Sequence, residues 1–245
     1  MLAVAARHKA ITGNPLRETS PIPVARKEVR ALSPAEVRTL RRKLREWQDA
    51  PMPNGRYSRA DDLLDVVDVL LATGCRIPEA LAPRWEDVDL DALRVTITGA
   101  VVSLKGRAMG RQDHPKSRGS MLAYTVDQDI AGRLRARWER SMTLGIVGAM
   151  VFPSATGTLR DPSSFRAQWR TAAAAIGFDW VTPHTLRRPV ATRLADAEGL
   201  AAASAYLGHS NEAVTVGHYR AKAREAADRT AALADFWYEG EDTAP

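Results

Sequence analysis

A single cysteine, Cys75, stands in the 245 residues. One thiol excludes an internal disulfide framework and fits a reducing compartment. Its neighbours make it a small buried filler rather than a reactive group. No apolar run is long enough to cross a bilayer. The opening "MLAVAARHKAITGNP" carries its charge after the apolar start rather than before it, which excludes a secretory signal. The expected location is therefore cytoplasmic, with no membrane partner. The motifs GxxxxGK(S/T), HExxH, CxxC and GxSxG are all missing, which removes the common signatures of phosphate-loop proteins, zinc proteases, thiol redox proteins and α/β-hydrolases. With one cysteine and five scattered histidines, neither a metal nor any other cofactor is expected.

Acidic side chains are the minority charge: Asp and Glu total 29 against 35 Lys and Arg, a net +6. Arginine carries most of the excess, and its planar fork suits bidentate contact with phosphate. A basic balance admits nucleic acid as a partner without demanding it. The length suffices for one large domain or two small ones, and 45% apolar with 26% charged residues is ordinary for a globular chain.

Repeats and low-complexity tracts are also absent, so the chain divides by local signals. Leu2 to Ile11 has helical character and stops at "TGNP". "LRETSPIPVARKEVR" reads as an extended basic linker, since Pro21 and Pro23 disfavour helix and Arg26, Lys27 and Arg30 stack charge. "LSPAEVRTLRRKLREWQD" predicts a helix with Ser33 as N-cap, Pro34 in the first turn and Glu36 completing a capping box. Its face of Arg41, Arg42, Lys43 and Arg45 is either solvated or turned toward DNA. "ADDLLDVVDVLLATGCR" is the most apolar helix and ends at Gly74. A short helix, "IPEALAPRWEDV", comes next.

The period then changes. "LRVTITG", "AVVSLKG" and "MLAYTV" alternate and are β-branched, predicting a three-stranded antiparallel sheet with the basic connection "KGRAMGRQDHPKSRGS" before the last strand. After Asp127 helices are expected at 127–144, 161–176, 182–198, 200–207 and 211–235. The fold class is mostly α with a small antiparallel sheet.

Three stretches concentrate phosphate-binding residue types: "TGCRIPEAL" with Arg76 and Glu79, "HTLRR" with His184 and Arg187, and "LGHSNEAVTVGHY" with His209 and Tyr219. In this order, with a basic hairpin in the gap, they resemble the catalytic domain of the tyrosine recombinase (phage integrase) family. That pattern is TGxRxxE, a hairpin lysine, HxxR, LGH and then a tyrosine. "RWEDVDL" also matches the family's habit, and the resemblance covers about residues 30–235. It implies a domain plan of residues 1–30 as the last helix of a core-binding domain plus the basic linker, 31–235 as the catalytic domain, and 236–245 as an acidic tail. It also implies a site-specific recombinase that acts on double-stranded DNA as a homo-oligomer, a tetramer, with accessory DNA-bending proteins as further candidate partners.

The chemistry explains why these residue types belong together. Phosphodiester cleavage builds charge on the non-bridging oxygens of a five-coordinate phosphorus, so catalysis is mostly positioning and charge stabilisation. Arg76 and Arg187 can clamp those oxygens without changing protonation, and Glu79 can support them. His184 and His209 can donate to a further oxygen or move a proton near neutral pH. Tyr219 is the expected nucleophile, forming a 3′-phosphotyrosyl bond that conserves the ester for religation without ATP; an adduct on another residue, such as Tyr206 or Tyr124, would refute that assignment. His218, next to Tyr219, reads as a packing or solvent residue.

The resemblance makes a hairpin lysine the general acid for the leaving 5′-oxygen. Lys116, in "HPKSRGS", matches best, and Lys105 is the second choice. Arg26, Lys27, Arg30, Lys105, Arg118 and Arg188 are the expected DNA contacts. Pro189 stands where the family usually has Ser or Thr. A helix starting at Pro183 would lose an interior hydrogen bond there, whereas one restarting at Pro189 would leave "HTLRR" as a turn. Two rival functions remain: a truncated DNA-binding protein without recombination activity, and a type IB topoisomerase-like nicking-closing enzyme.

Overall fold

The computed structural model describes residues 2–12, 14, 30–51, 62–103, 109–113, 122–143, 148–208, 224–225 and 228–237. The chain divides into two units, Met1–Arg30 and Ala31–Pro245. The first contains helix α1, Leu2–Arg7, shorter than the apolar stretch suggests. All other described helices and strands belong to the second.

Helix α2, Pro34–Asp49, begins as its sequence dictates: Ser33 Oγ accepts the Glu36 N–H at 3.2 Å, and Glu36 Oε2 accepts the Ser33 N–H at 2.8 Å. It presses Val37, Leu40 and Leu44 onto helix α3, Leu63–Thr73, which is buried along almost its whole length. Helix α3 stops where Gly74 adopts φ +62°, a left-handed conformation that costs glycine little, and donates its N–H to Leu70 O at 2.8 Å.

Arginine in α2 behaves unlike the expectation from charge alone. Arg41 is buried and grips Asp68 on α3 with two bonds, at 2.6 and 3.2 Å. It belongs to neither a solvated nor a DNA-turned face. Arg42 does remain outside, paired with Glu46 at 2.8 Å, while Lys43 donates to Ile176 O at 3.3 Å.

The short helix α4, Ile77–Ala80, and a 3₁₀ turn at Trp85–Asp87 lead into the strands. These are β1 Val88–Asp89, β2 Arg94–Ile97, β3 Ala100–Val102, β4 Gly110–Gln112 and β5 Leu122–Thr125. Three predicted strands exist, but their pairing differs. β2 pairs directly with β5, with Val95 opposite Tyr124. β3 pairs with β4, a strand hidden inside the basic connection, to form a separate hairpin. Arg111 on β4 holds that hairpin to the domain by donating to Ala82 O at 2.8 Å and to Asp87 at 3.2 Å.

Helices α5 Gln128–Thr143 and α6 Pro162–Ala175 close over α3 and α2. Trp169 of α6 is buried and donates its indole N–H to Val181 O at 2.7 Å. That bond fixes the chain just ahead of α7, Arg187–Glu198, after which comes α8, Leu200–Tyr206.

The expected helix over 211–235 is corrected at its C-terminal end. Arg224–Glu225 forms strand β6, parallel to β5, and helix α9 is confined to Thr230–Leu233, with a 3₁₀ turn at Ala234–Phe236. Leu233 and Phe236 enter the domain's own core, and Trp237 packs on it. Arg193 holds Ala232 O at 3.0 Å, and Arg41 holds Phe236 O at 3.4 Å. Of the residues expected to form an acidic tail, Phe236 and Trp237 are thus part of the folded domain.

Candidate active site

Arg76 leaves the end of α3 two residues after the left-handed Gly74. Its side chain is 53% exposed, and Glu79 holds it twice: Oε2 accepts the Arg76 backbone N–H at 2.7 Å, and Oε1 pairs with Nη1 at 3.1 Å. The first carboxylate oxygen caps α4 and the second fixes the guanidinium's direction. A TGxRxxE spacing therefore builds a self-bracing arginine.

Arg187 comes from the opposite side. Residues 183–186 form a turn braced by Thr182 and Thr185, which exchange side-chain and backbone bonds with their hydroxyl oxygens 2.9 Å apart. The helix begins only at Arg187. Pro189 then falls in the first turn, where backbone N–H groups have no intrahelical partner, so its missing donor costs no helical bond. The expected helix start at 182 is corrected to 187.

The side chain of Arg187 is buried. It donates through Nη1 to Gly74 O and through Nη2 to Leu207 O at 2.8 Å. Burial lowers its pKa, and the nearby Arg76 guanidinium pushes the same way, while Glu79 opposes them. An arginine starts so far above neutrality that it keeps its charge. Two guanidiniums thus share a locality with one carboxylate, and the Arg187 donors not used on the carbonyls can meet an anion.

His184 is exposed in the turn, and its carbonyl accepts the Arg187 N–H at 3.3 Å. Arg30 is exposed and Arg188 half-buried. His209 and Tyr219 lie outside the described residues, as do Lys105, Lys116, Arg118, Arg26 and Lys27. The structure therefore brings together Arg76, Glu79 and Arg187, sets His184 on the turn leading to Arg187, and locates Leu207 and Gly208 just ahead of His209.

Sequence reasoning misses the backbone carbonyls of Gly74 and Leu207 as parts of the site. The only signal for them is the glycine in each of TGC and LGH, which marks a helix end with outward carbonyls. Tyr124 and Tyr206 are buried, and burial drives both phenols well above their ordinary pKa. Both stay protonated and inside the core.

Among the described residues, no helix is long and apolar enough to cross a membrane. Several known proteins resemble the chain. It is 29% identical over 178 residues to an integrase of Staphylococcus phage L54a, a match covering 68% of this chain and 49% of that protein. It is 30% identical over 169 residues to the tyrosine recombinase XerC of Xanthomonas campestris pv. campestris (strain B100), covering 68% and 44%. The chain spans about half the length of these curated relatives.

Among solved structures, a Tn1549 transposon integrase in complex with a circular intermediate DNA superposes with a TM-score of 0.69 at 15% identity, over 98% of this chain and 72% of that one. The XerA recombinase superposes at 0.56 and 17% identity, over 98% and 69%. These likenesses establish the fold. Residues 32–226 match the phage integrase family, and the chain belongs to it.

Proposed function

We propose that this protein is a site-specific DNA strand transferase that cleaves and rejoins double-stranded DNA through a covalent tyrosyl intermediate. The observation that carries the reading is the Arg187 guanidinium, bonded to the carbonyls of both Gly74 and Leu207 with Arg76 beside it. Three sequence stretches that are far apart in the chain converge there on one anion-binding locality.

In this mechanism Arg76 and Arg187 hold the non-bridging oxygens of the scissile phosphate, and Glu79 keeps Arg76 aimed. Tyr219 Oη attacks phosphorus and displaces the 5′-oxygen, which takes a proton from Lys116. The product is a 3′-phosphotyrosyl ester. A 5′-hydroxyl from the same or another strand then attacks that ester, releasing Tyr219 and restoring the phosphodiester. His184 and His209 donate to the phosphate or carry the tyrosine's proton. Bonds broken and formed balance, so no nucleotide is consumed.

Arg26, Lys27, Arg30, Lys105, Arg118 and Arg188 track the DNA backbone, where each phosphate contact adds to affinity and to its salt dependence. The Tn1549 neighbour was solved with a circular intermediate DNA, and a lambda integrase neighbour as a dimer on a core site. We infer further that the chain assembles as a homo-oligomer, a tetramer for full exchange, and works in the cytoplasm.

A nicked duplex that loses a short strand after cleavage traps the covalent complex. Incubation with the protein and no ATP is expected to give an adduct that resists denaturant. Binding without any adduct would instead mean a DNA-binding protein without strand-transfer activity.

A further inference from the structure

Two buried tyrosines outside the reacting group satisfy helix-end carbonyls beside those that hold Arg187. Helix α3 ends at Thr73, so its last carbonyls have no intrahelical partner. The Arg76 N–H, which would reach Ala72 O if the helix continued, is taken by Glu79 Oε2. Ala72 O is filled instead by the hydroxyl of Tyr206. Helix α8 ends at Tyr206 with the same deficit. Tyr206 O accepts the Tyr124 hydroxyl at 3.1 Å, and Leu207 O accepts Arg187 Nη2 at 2.8 Å. Gly74 O takes Arg187 Nη1.

Four helix-end carbonyls are therefore satisfied by three side chains. The two rings meet edge to face, 5.1 Å apart at 71°, and are nearly inaccessible to solvent. The carbonyl ends of two helices also direct negative charge at the buried guanidinium, which offsets part of its desolvation.

We propose that Tyr206 and Tyr124 are positioning residues for strand transfer, setting the ends of α3 and α8 so that Arg187 and Arg76 meet one phosphate. Tyr206 fixes the helix end from which Arg76 departs and, through its own backbone, the step before Leu207. Tyr124 ties that assembly to β5, the strand after the connection carrying Lys116. Loss of either hydroxyl leaves a buried carbonyl without its donor among the described residues. Arg187, bonded to the neighbouring carbonyls of Gly74 and Leu207, can turn a further N–H to the vacated carbonyl, which takes it from the phosphate. The inference rests on Arg187 serving as the phosphate clamp.

The test compares Tyr206→Phe and Tyr124→Phe with the wild type and with Val37→Ala, a core change in α2. Single-turnover adduct formation is measured at saturating nicked duplex, together with duplex affinity and hydrogen exchange of the peptides over residues 70–78 and 203–208. Tyr206→Phe should slow adduct formation by between about 10-fold and 100-fold, the scale of a small misplacement of a catalytic group. Its DNA affinity should stay within about 2-fold, and its exchange at Gly74–Ile77 should rise; Tyr124→Phe should act in the same direction. Combination with Arg187→Lys should add little further loss, because both act through one group.

A rate equal to wild type, or reduced no more than in Val37→Ala, would overturn the proposal. Should the wild type itself form no adduct, the strand-transfer reading fails. The tyrosine brace is then judged by exchange alone: faster exchange at Gly74–Ile77 in Tyr206→Phe supports it, and unchanged exchange refutes it.

Discussion

Gly74 and Leu207 pack so closely that a methyl group on the glycine would collide with Leu207 Cδ2 and press on Val190 Cγ1 at 3.3 Å. The contact locks the stretch that carries Arg76 to the stretch that precedes His209. The same two residues offer their carbonyls to Arg187. Apolar packing and polar bracing thus act at one junction.

Gly74→Ala should be strongly destabilising, because a left-handed φ costs an L-residue about 1–2 kcal/mol and overpacking a full core about 1–3 kcal/mol more. Urea unfolding should show a loss of about 2–5 kcal/mol. A loss below about 0.5 kcal/mol would mean that the junction is looser than described.

Asp68 is fully buried on α3 between Arg41 and Arg133. Burial, aided by the neighbouring Arg41, lowers Arg133 to about 10, and the Asp65 carboxylate opposes the shift. Asp68→Asn leaves the buried Arg41 without its carboxylate and removes one of the two carboxylates on the half-buried Arg133, and should cost about 3–5 kcal/mol. Thermal melting of the variant beside an exposed control such as Glu46→Gln separates this from a surface effect.

Cys75 makes a prediction about alkaline pH. Burial raises its thiol from 9.0 to about 12. The folded state therefore holds its proton where the unfolded state has lost it, so stability is complete below about pH 9 and declines as pH rises toward 12. Tyr124 and Tyr206 shift in the same direction and steepen the loss. The unfolding free energy of Cys75→Ala should fall less between pH 8 and pH 10.5 than that of the wild type; equal slopes would contradict the assignment. In the native protein at pH 8, Cys75 should also resist alkylation until the chain unfolds.

Several of these features are legible in the sequence. Ser33 and Glu36 announce the start of α2, Gly74 the end of α3, and the three motif stretches name Arg76, Glu79, His184 and Arg187 before any fold is known. The burial of Arg41 is not legible, because charge along one helix cannot reveal a carboxylate on the next; Asp68, set among apolar residues, is the available clue. Strand β6 escapes notice since two residues cannot show an alternating pattern, and only pairing with β5 defines them. Pro189 looks like an obstacle only when the helix start is placed too early, at 182 instead of 187. The tyrosine brace has no local signal at all, as each hydroxyl finds a partner remote in the chain.

The choice between two lysines is open to a chemical test. Lys116→Ala should slow cleavage of an ordinary strand by about 100-fold to 10,000-fold, the usual worth of a general acid. A 5′-bridging sulfur leaves without protonation and should restore the rate. Rescue of Lys105→Ala, with none for Lys116→Ala, would transfer the role to Lys105.

The central claim is that Tyr219 becomes covalently joined to a DNA 3′-phosphate. Trapping on a nicked duplex, digestion and mass spectrometry of the nucleotide-bearing peptide locate the bond directly. The account predicts a single modified residue, Tyr219, and a Tyr219→Phe variant that binds the duplex as tightly as the wild type yet forms no adduct. An adduct on any other residue, or one that persists in Tyr219→Phe, would contradict it.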